Sequence, residues 1–324
     1  MAARSLTALV TPSQSGDSLS QPKQEWEVAV KVGFIGVGSM GGPMSRNLVS
    51  KSNHEVTVFD LNAKAIEACV SAGAKRGTSV AEVAKSSEVV MLSLPTPKHV
   101  EQVVLGADGV GANAKPGTVL IDFSTNSPSL MKTVAGKLAE KGIALVEAPV
   151  TGGVIKATDG TLTIICGGDE AVVERQRPLL AAIGTLVVYT GPHGSASVAK
   201  LVNNMLALCN SAVAIEGMMI AKMAGVDLSR IVEVIANGSG LSNAFRGVTS
   251  RAMKGKFEPS FALDLAYKDM SLAIDLATEH GVPGMVAPQV LNLMRMARGL
   301  GLGQDDSSSV LKVYEKILGK EVRL

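Results

Sequence analysis

The stretch EVAVKVGFIGVGSMGG, residues 27–42, is the strongest indication of the fold, because it runs from an apolar segment straight into a glycine loop. Residues 27–35 are apolar and rich in β-branched side chains, which predicts a buried parallel strand. Helical character begins at residue 40. Glycines in G-x-G-x-x-G spacing between a strand and a helix permit a tight turn and let backbone N–H groups approach a pyrophosphate. The sequence therefore predicts a phosphate-binding loop at a helix N-terminus, formed by Gly36, Val37, Gly38, Ser39, Met40 and Gly41.

Asp60 is the second part of this pattern. It ends a predicted strand, residues 55–59, about 20 residues beyond the glycines, where a carboxylate accepts hydrogen bonds from the adenosine ribose hydroxyls. A carboxylate there repels a 2′-phosphate, and the neighbouring Leu61 and Asn62 offer no arginine to bind one. This favours NAD, with NADP as the alternative. The competing interpretation of Asp60 is the N-cap of the next helix.

Strand and helix patterns alternate as far as residue 189. Strands are predicted at 88–94, 118–122, 144–147, 161–166 and 185–189, and helices at 79–85, 97–105 and 127–141. This alternation predicts an α/β fold, a Rossmann-type doubly wound parallel sheet. Ligands bind such sheets beyond the carboxyl ends of the strands. The turns after two strands are therefore candidates for a nicotinamide pocket, or else ordinary βα turns: Leu94, Pro95 and Thr125.

A long helix is predicted in residues 191–225, GPHGSASVAKLVNNMLALCNSAVAIEGMMIAKMAG. After the Gly-Pro-His-Gly break it runs for about 30 residues without proline, longer than most globular helices. Its later part is almost wholly apolar, which predicts a helix buried on all sides. Lys200 and Asn204 lie one turn apart and share a face. They are candidates for proton chemistry, although a lysine near a helix start is more often a surface residue.

The remaining chain carries helical patterns only, at 227–237, 244–253, 262–279, 284–298 and 307–318. We therefore expect a disordered extension (1–29), a dinucleotide-binding domain (30–191) and an all-helical domain (192–324), joined by the long helix. Two short motifs are ambiguous from the residues alone. Lys268 and Asp269 suggest a solvated charge pair. Thr151, Gly152 and Gly153 suggest either a backbone nest for a carboxylate or an ordinary loop before a β-ribbon.

Composition excludes several classes of protein. Hydrophobic residues make up 46%, which excludes a disordered chain. A net charge of +2 gives the protein no strong electrostatic field to attract nucleic acid or acidic membranes. With aromatic residues at 3%, the protein also lacks surfaces on which nucleic acid bases could stack. The cysteines and histidines lack metal-ligand spacing, so we expect no metal and a reducing compartment. The apolar run in the long helix contains too many polar residues for an isolated membrane span. Residues 1–29 meet the targeting pattern poorly, so we expect a cytoplasmic protein, with organelle targeting as the alternative.

Four further motifs resemble one family, the β-hydroxyacid dehydrogenases that include 3-hydroxyisobutyrate dehydrogenase. After KVGFIGVGSMGGPMSRNL, these are DFSTNSP, EAPVTGG, GPHGSASVAKLVNN and YKDMSLA, and the resemblance covers residue 31 to the C-terminus. The C-terminal VYEKILGKEVRL is most similar to tartronate semialdehyde reductases. The resemblance implies an NAD(P)-dependent oxidoreductase that acts on a small hydroxyacid or its semialdehyde and forms a homodimer or homotetramer.

The resemblance also implies roles for individual residues. Lys200 is the acid/base, Asn204 helps to hold substrate, Thr151 and Gly152 with Gly153 bind its carboxylate, and Lys268 closes over the cofactor and active site. Glu147 stands where the family has aspartate, and Thr151 where it has serine. The rivals are a glyoxylate or succinic semialdehyde reductase, an imine reductase, which lacks the lysine, and a non-catalytic dinucleotide-binding protein.

Overall fold

The computed structural model describes residues 29–324, and the first half of this range is built on a nine-stranded sheet. Its strands are β1 Lys31–Ile35, β2 Glu55–Phe59, β3 Lys75–Arg76, β4 Val89–Leu92, β5 Val119–Asp122, β6 Ala144–Glu147, β7 Val150–Thr151, β8 Leu162–Gly168 and β9 Gly184–Tyr189. Their order is β3-β2-β1-β4-β5-β6-β8-β7, and β9 pairs with β8. The predicted extension, residues 1–29, lies outside the described residues except for Ala29.

The predicted doubly wound sheet is confirmed from β1 to β6, where all pairings are parallel. The central strands β1 and β4 are almost fully buried, as expected for a sheet covered on both faces. Beyond β6 the sheet is mixed, because β8 runs antiparallel to both β6 and β7. Strand direction reverses between β7 and β8, after Thr151.

Two layers of helices cover the sheet and enclose two hydrophobic cores. These helices are α1 Gly41–Lys51, α2 Ala63–Val70, α3 Val80–Ser86, α4 Pro97–Leu105, α5 Val110–Asn113, α6 Pro128–Ala139, α7 Gly153–Asp159 and α8 Glu170–Ala181. Side-chain oxygens of Ser79, Thr96 and Ser127 accept backbone N–H bonds at the starts of α3, α4 and α6, which explains why these helices begin where they do. Sequence analysis predicted neither α7 nor α8. In particular, a helix separates Gly152 from β8, where we expected only a loop.

The second half is helical, as predicted, and has its own hydrophobic core. Its helices are α9 Ser195–Met223, α10 Leu228–Ala236, α11 Asn243–Ser250, α12 Leu263–Glu279, α13 Ala287–Gly299 and α14 Leu311–Leu318, with short 3-10 helices at Ala252–Lys254 and Ser307–Val310. Phe245 is 3% exposed in this core, and Asp305 pairs with Lys312. The domain boundaries proposed from the sequence remain predictions.

Helix α9 has 29 residues and connects the two halves. It contacts β8 and α6 on one side and α11, α12 and α13 on the other. The expectation that it is buried on all sides is wrong for the single chain. Leu206, Val213 and Ile220 are 53%, 63% and 64% exposed. Judged by length and composition alone, α9 is long and apolar enough to cross a membrane. Core helices of soluble proteins meet the same two criteria.

Candidate active site

A cleft of about 880 Å³ opens beyond the carboxyl ends of β1 and β4. These neighbouring strands lie at the point where the strand order reverses, which is where ligands bind in open α/β sheets. The predicted cofactor residues, with three exceptions, line this cleft. The exceptions are Val37, Thr125 and Lys268, and the lining residues are Gly36, Gly38, Ser39, Met40, Gly41, Asp60, Leu94 and Pro95. Leu265 of α12 contributes to the lining from the helical half.

Glycine is required at two positions of the loop. Gly36 has φ +88°, in the left-handed region that other residues rarely adopt. A Cβ on Gly41 would lie 1.9 Å from the Gly36 carbonyl oxygen, so the helix starts in direct backbone contact with the turn. By contrast, a Cβ on Gly38 would meet nothing within 4 Å. The loop is therefore tightly packed at Gly36 and Gly41 but open at Gly38. This leaves room for a phosphate at the start of α1.

Asp60 connects the end of β2 to this loop. One carboxylate oxygen accepts the Val37 N–H at 2.8 Å, and the other accepts the Asn62 N–H at 2.8 Å. The alternative role as a helix cap belongs to Asn62, whose side chain accepts the Lys64 N–H at the start of α2. Asp60 thus places a negative charge on the wall of the cleft while holding the glycine loop to the neighbouring strand.

Lys200 is buried, with 9% of its surface exposed. Its Nζ donates to the Val150 carbonyl at 2.7 Å and to Asn204 Oδ1 at 3.0 Å. The pKa of Lys200 is lowered to about 8, chiefly by burial; Asp269 opposes this shift and Lys268 contributes to it. A lysine in this state can give up and take back a proton near neutral pH.

Asn204 connects Lys200 to helix α12 through hydrogen bonds. Its Nδ2 donates to Asp269 Oδ2 at 2.6 Å, and Asp269 Oδ1 lies 3.0 Å from Lys268 Nζ. Lys268 Nζ also donates to the Thr125 carbonyl at 3.1 Å. The expectation of a solvated pair is wrong, because the side chains of Lys268 and Asp269 are 19% and 3% exposed. The two residues face the active-site helix because α12 packs against α9.

The sequence carries a signal for the burial of Asp269 that the interpretation as a solvated pair did not use. Ala266, Met270 and Ala273 form the buried stripe of α12, and Asp269 lies in the same stripe. A carboxylate at an apolar position of a helical pattern indicates a buried charge, which needs a partner. Here the partners are an amide and an ammonium group of the candidate site.

The turns after β4 and β5 are joined by Ser124. Its Oγ accepts the Leu94 N–H at 2.9 Å, and its own N–H donates to Asp122 Oδ1 at 2.9 Å. Asp122 also accepts a bond from Asn126 Nδ2 at 2.8 Å. Burial, reinforced by the nearby Glu147 carboxylate, raises the pKa of Asp122 to about 6 despite these hydrogen bonds. Hydrogen bonds thus connect the turn that carries Thr125 to Leu94, which lines the cleft.

Glu147 anchors the start of α9. It is 1% exposed, and its carboxylate accepts the N–H of Gly194, the N–H of Ser197 at 3.2 Å and the Ser197 hydroxyl at 2.7 Å. No side chain of α9 itself caps this terminus. A buried carboxylate from β6 thus satisfies the unpaired N–H groups and the positive end of the helix dipole, one turn before Lys200. The sequence motif indicates Glu147 only as a departure from the family's aspartate, and the capping role emerges from the structure.

Thr151, Gly152 and Gly153, which we call the substrate loop, directly follow the Val150 carbonyl that accepts the Lys200 bond. Gly152 has φ +130° and Gly153 has φ +70°, so glycine is needed at both positions. Thr151 is half-buried and both glycines are exposed. The structure therefore brings the substrate loop to the Lys200 face of α9, while α7 begins at Gly153.

The residues present fit a dinucleotide cofactor. The glycine loop opens at a helix N-terminus, the Asp60 carboxylate lines the cleft at the end of β2, where it could accept hydrogen bonds from ribose hydroxyls, and the cleft continues to Leu94 and Pro95. No group of three or more His, Cys, Asp or Glu side chains within residues 29–324 could hold a metal ion.

Comparison with known proteins supports the same assignment. Residues 31–191 match the NAD binding domain of 6-phosphogluconate dehydrogenase, and residues 194–314 match the NAD-binding model of NADP-dependent 3-hydroxyisobutyrate dehydrogenase. The chain is 38% identical to 2-(hydroxymethyl)glutarate dehydrogenase of Eubacterium barkeri over 91% of its own length and 98% of that protein. It is 36% identical to 3-hydroxyisobutyrate dehydrogenase of Pseudomonas aeruginosa over 87% and 98% of the two chains.

A solved structure of 3-hydroxyisobutyrate dehydrogenase from Mycobacterium tuberculosis with L-serine superposes with a TM-score of 0.80 at 28% identity, covering 89% of this chain and 99% of that one. The resemblance seen in the sequence motifs is thus confirmed along nearly the whole chain. The protein belongs to the 3-hydroxyisobutyrate dehydrogenase-like family of β-hydroxyacid dehydrogenases, which are NAD(P)-dependent oxidoreductases.

Proposed function

We propose that the protein is an NAD-dependent reductase of a small carboxylate-bearing semialdehyde, such as tartronate semialdehyde or the aldehyde of 3-hydroxyisobutyrate. The observation that carries the proposal is the position of Lys200. Its ammonium group is buried, has a pKa of about 8, and lies between Asn204 and the carbonyl of Val150, next to the substrate loop. The nicotinamide, when bound in the cleft, supplies or accepts the hydride.

Lys200 handles the proton that accompanies the hydride. During reduction the aldehyde oxygen becomes an alkoxide, and the Lys200 ammonium gives it a proton. During oxidation the neutral amine takes the hydroxyl proton. Both states are accessible because the pKa of Lys200 is about 8. Asn204 accepts a bond from Lys200, which orients the ammonium group.

The substrate loop anchors the carboxylate of the substrate. The Thr151 hydroxyl and the exposed backbone at Gly152 offer donors beside Lys200, and the ammonium groups of Lys200 and Lys268 add positive charge. Anchoring one end of a small substrate fixes the position of its aldehyde end, which lowers the entropic part of the barrier. Lys268 contacts both the Thr125 carbonyl and Asp269. It therefore connects the substrate loop region to the turn after β5, which we expect to lie beside the bound cofactor.

The Asp60 carboxylate favours NAD, because a 2′-phosphate would approach a negative charge without a cationic partner nearby. NADP remains the alternative. Glyoxylate and succinic semialdehyde are alternative substrates, since both carry the carboxylate and aldehyde that the site requires. A non-catalytic dinucleotide-binding protein would have no need of a buried lysine beside a substrate loop.

We also propose that the protein is a cytoplasmic homodimer or homotetramer, acts on a free small molecule, and binds neither nucleic acid nor membrane. The exposed face of α9 supports self-association. Val202, Leu206, Val213 and Ile220 leave that face apolar, and a second copy of the chain would cover it.

The test is a panel of semialdehydes (tartronate, methylmalonate, succinic and sulfolactate), with glyoxylate and the semialdehyde of 2-(hydroxymethyl)glutarate, assayed with NADH and with NADPH. We expect turnover of at least one semialdehyde, and a loss of about 100- to 10,000-fold in kcat for Lys200→Met, with NADH binding retained. NADH binding without turnover of any member, or near wild-type turnover by folded Lys200→Met, would contradict the proposal.

A further inference from the structure

Helix α7, which follows the substrate loop, has little anchorage of its own. Of its 7 residues only Ala157 is buried. Ile155 is 73% exposed. A helix this short is unstable in isolation, and its first residue, Gly153 at φ +70°, and the residue after it, Gly160 at φ +68°, are both left-handed glycines. Core packing by α7 therefore does little to fix the position of the substrate loop.

Two side chains of α1 hold the far end of α7. Asn47, 6% exposed, donates from Nδ2 to the carbonyls of Ala157 at 2.8 Å and Thr158 at 3.1 Å. Lys51 donates from Nζ to the Asp159 carbonyl at 3.0 Å. The last carbonyls of a helix lack partners within it, and a cation near them interacts favourably with the helix dipole.

The contact between α1 and the end of α7 requires a residue without a side chain at Gly160. A Cβ at Gly160 would lie 2.1 Å from Lys51 Nζ and 2.9 Å from Asn47 Oδ1. The left-handed φ also disfavours any other residue there. Gly160 thus lets the chain leave α7 while both side chains of α1 stay against its last turn.

The same helix α1 begins at Gly41, in the glycine loop of the cofactor cleft. One rigid element therefore runs from the cofactor loop to the helix that carries the substrate loop. We propose that Asn47 and Lys51 are positioning residues, which hold the substrate loop at a set distance from the cofactor loop. The proposal rests on the proposed function, because it assumes that Thr151 and Gly152 bind the substrate carboxylate.

The test compares the wild-type protein with Lys51→Met, Gly160→Ala and Asn47→Ala. Ser50→Ala is the matched control, because Ser50 donates to the Asn47 carbonyl within α1. We measure KM and kcat for an accepted semialdehyde, NADH affinity by fluorescence, and hydrogen–deuterium exchange in residues 153–160 of the cofactor-free protein. We expect faster exchange in α7 and a KM raised by about tenfold or more in the three variants, since small displacements of an anchor are costly in catalysis. NADH affinity should stay unchanged, and Ser50→Ala should behave as wild type.

Unchanged exchange in folded Lys51→Met and Gly160→Ala would overturn the proposal, as would faster exchange with an unchanged KM. Lys51 is exposed, so its variant tests the idea even if Asn47→Ala fails to fold. If the wild-type protein turned over no semialdehyde, the proposed function would fail, and the exchange measurement would still decide whether α1 holds α7.

Discussion

Asn204 Nδ2 lies 2.6 Å from Asp269 Oδ2, and both side chains are buried. This contact joins the active-site helix α9 to α12 and completes a chain of polar contacts that runs from the Val150 carbonyl through Lys200 and Asn204 to Asp269. Lys200, the proposed proton donor, is thus connected through Asn204 to a carboxylate of α12. Because the carboxylate is charged, it also opposes the effect of burial on the lysine.

Replacement of Asp269 by Asn should shift the pH profile of the reaction. Asp269 raises the pKa of Lys200 against burial, so its removal lowers that pKa below about 8. Reduction needs the charged ammonium group, and its rate falls as pH rises through the pKa. In Asp269→Asn this fall should begin at lower pH, with kcat at pH 8 reduced by about 10- to 100-fold. Steady-state rates from pH 6 to 10 measure the shift.

Asp264→Asn is the matched control for this prediction. Asp264 lies on the same helix but forms a partly exposed ion pair with Arg298. Its profile should coincide with that of the wild type. Equal profiles for Asp269→Asn and the wild type would mean that Asp269 does not influence Lys200.

Loss of the Glu147 carboxylate should destabilise the protein. Glu147→Ala would leave the N–H of Gly194 and both donors of Ser197 buried without a partner. We expect a loss of about 2–4 kcal/mol in the free energy of unfolding, because each unpaired buried group is costly. Urea unfolding checks this value. Glu174→Ala removes an exposed ion pair with Arg177 and should leave the free energy of unfolding close to that of the wild type. Equal losses in the two variants would refute the capping role.

Asp60→Asn should weaken the preference for NADH over NADPH. The amide keeps an acceptor for the glycine loop but carries no charge to repel a 2′-phosphate. We expect the ratio of kcat/KM for NADPH to that for NADH to rise about tenfold. Glu67→Gln, at an exposed acid on α2, should leave the ratio unchanged. A wild-type protein that prefers NADPH would reverse our interpretation of Asp60.

Leu206→Asp should dissociate the proposed oligomer. Leu206 is 53% exposed in the middle of the apolar face of α9, where a buried aspartate would lack a partner. Light scattering after size-exclusion chromatography should show the wild type as a dimer or tetramer and the variant as a monomer. Leu186→Asp, on β9 at 52% exposure, should retain the wild-type mass. A monomeric wild-type protein would contradict the proposal.

Local patterns determined much of the fold. The glycine loop, the strand at Glu55–Phe59 and the helix at Pro97–Leu105 follow from periodicity, turn residues and capping, which act within a few residues of the chain. The motifs also indicated Lys200, Asn204 and Lys268 as members of one site. The sequence patterns did not indicate the short helix α7, whose last carbonyls accept hydrogen bonds from Asn47 and Lys51, residues distant in sequence.

Tertiary structure decided how the active-site groups influence each other. The sequence by itself placed Lys200 on a helix, but its burial and its lowered pKa depend on packing between α9, the Val150 segment and α12. Likewise, Asp269 became a buried partner of Asn204 and Glu147 became a cap for α9 only when strands and helices from different parts of the chain met. Hydrogen bonds and desolvation depend on groups within a few ångströms in space, whatever their separation along the chain. Sequence patterns, by contrast, reflect only residues that are close neighbours in the chain.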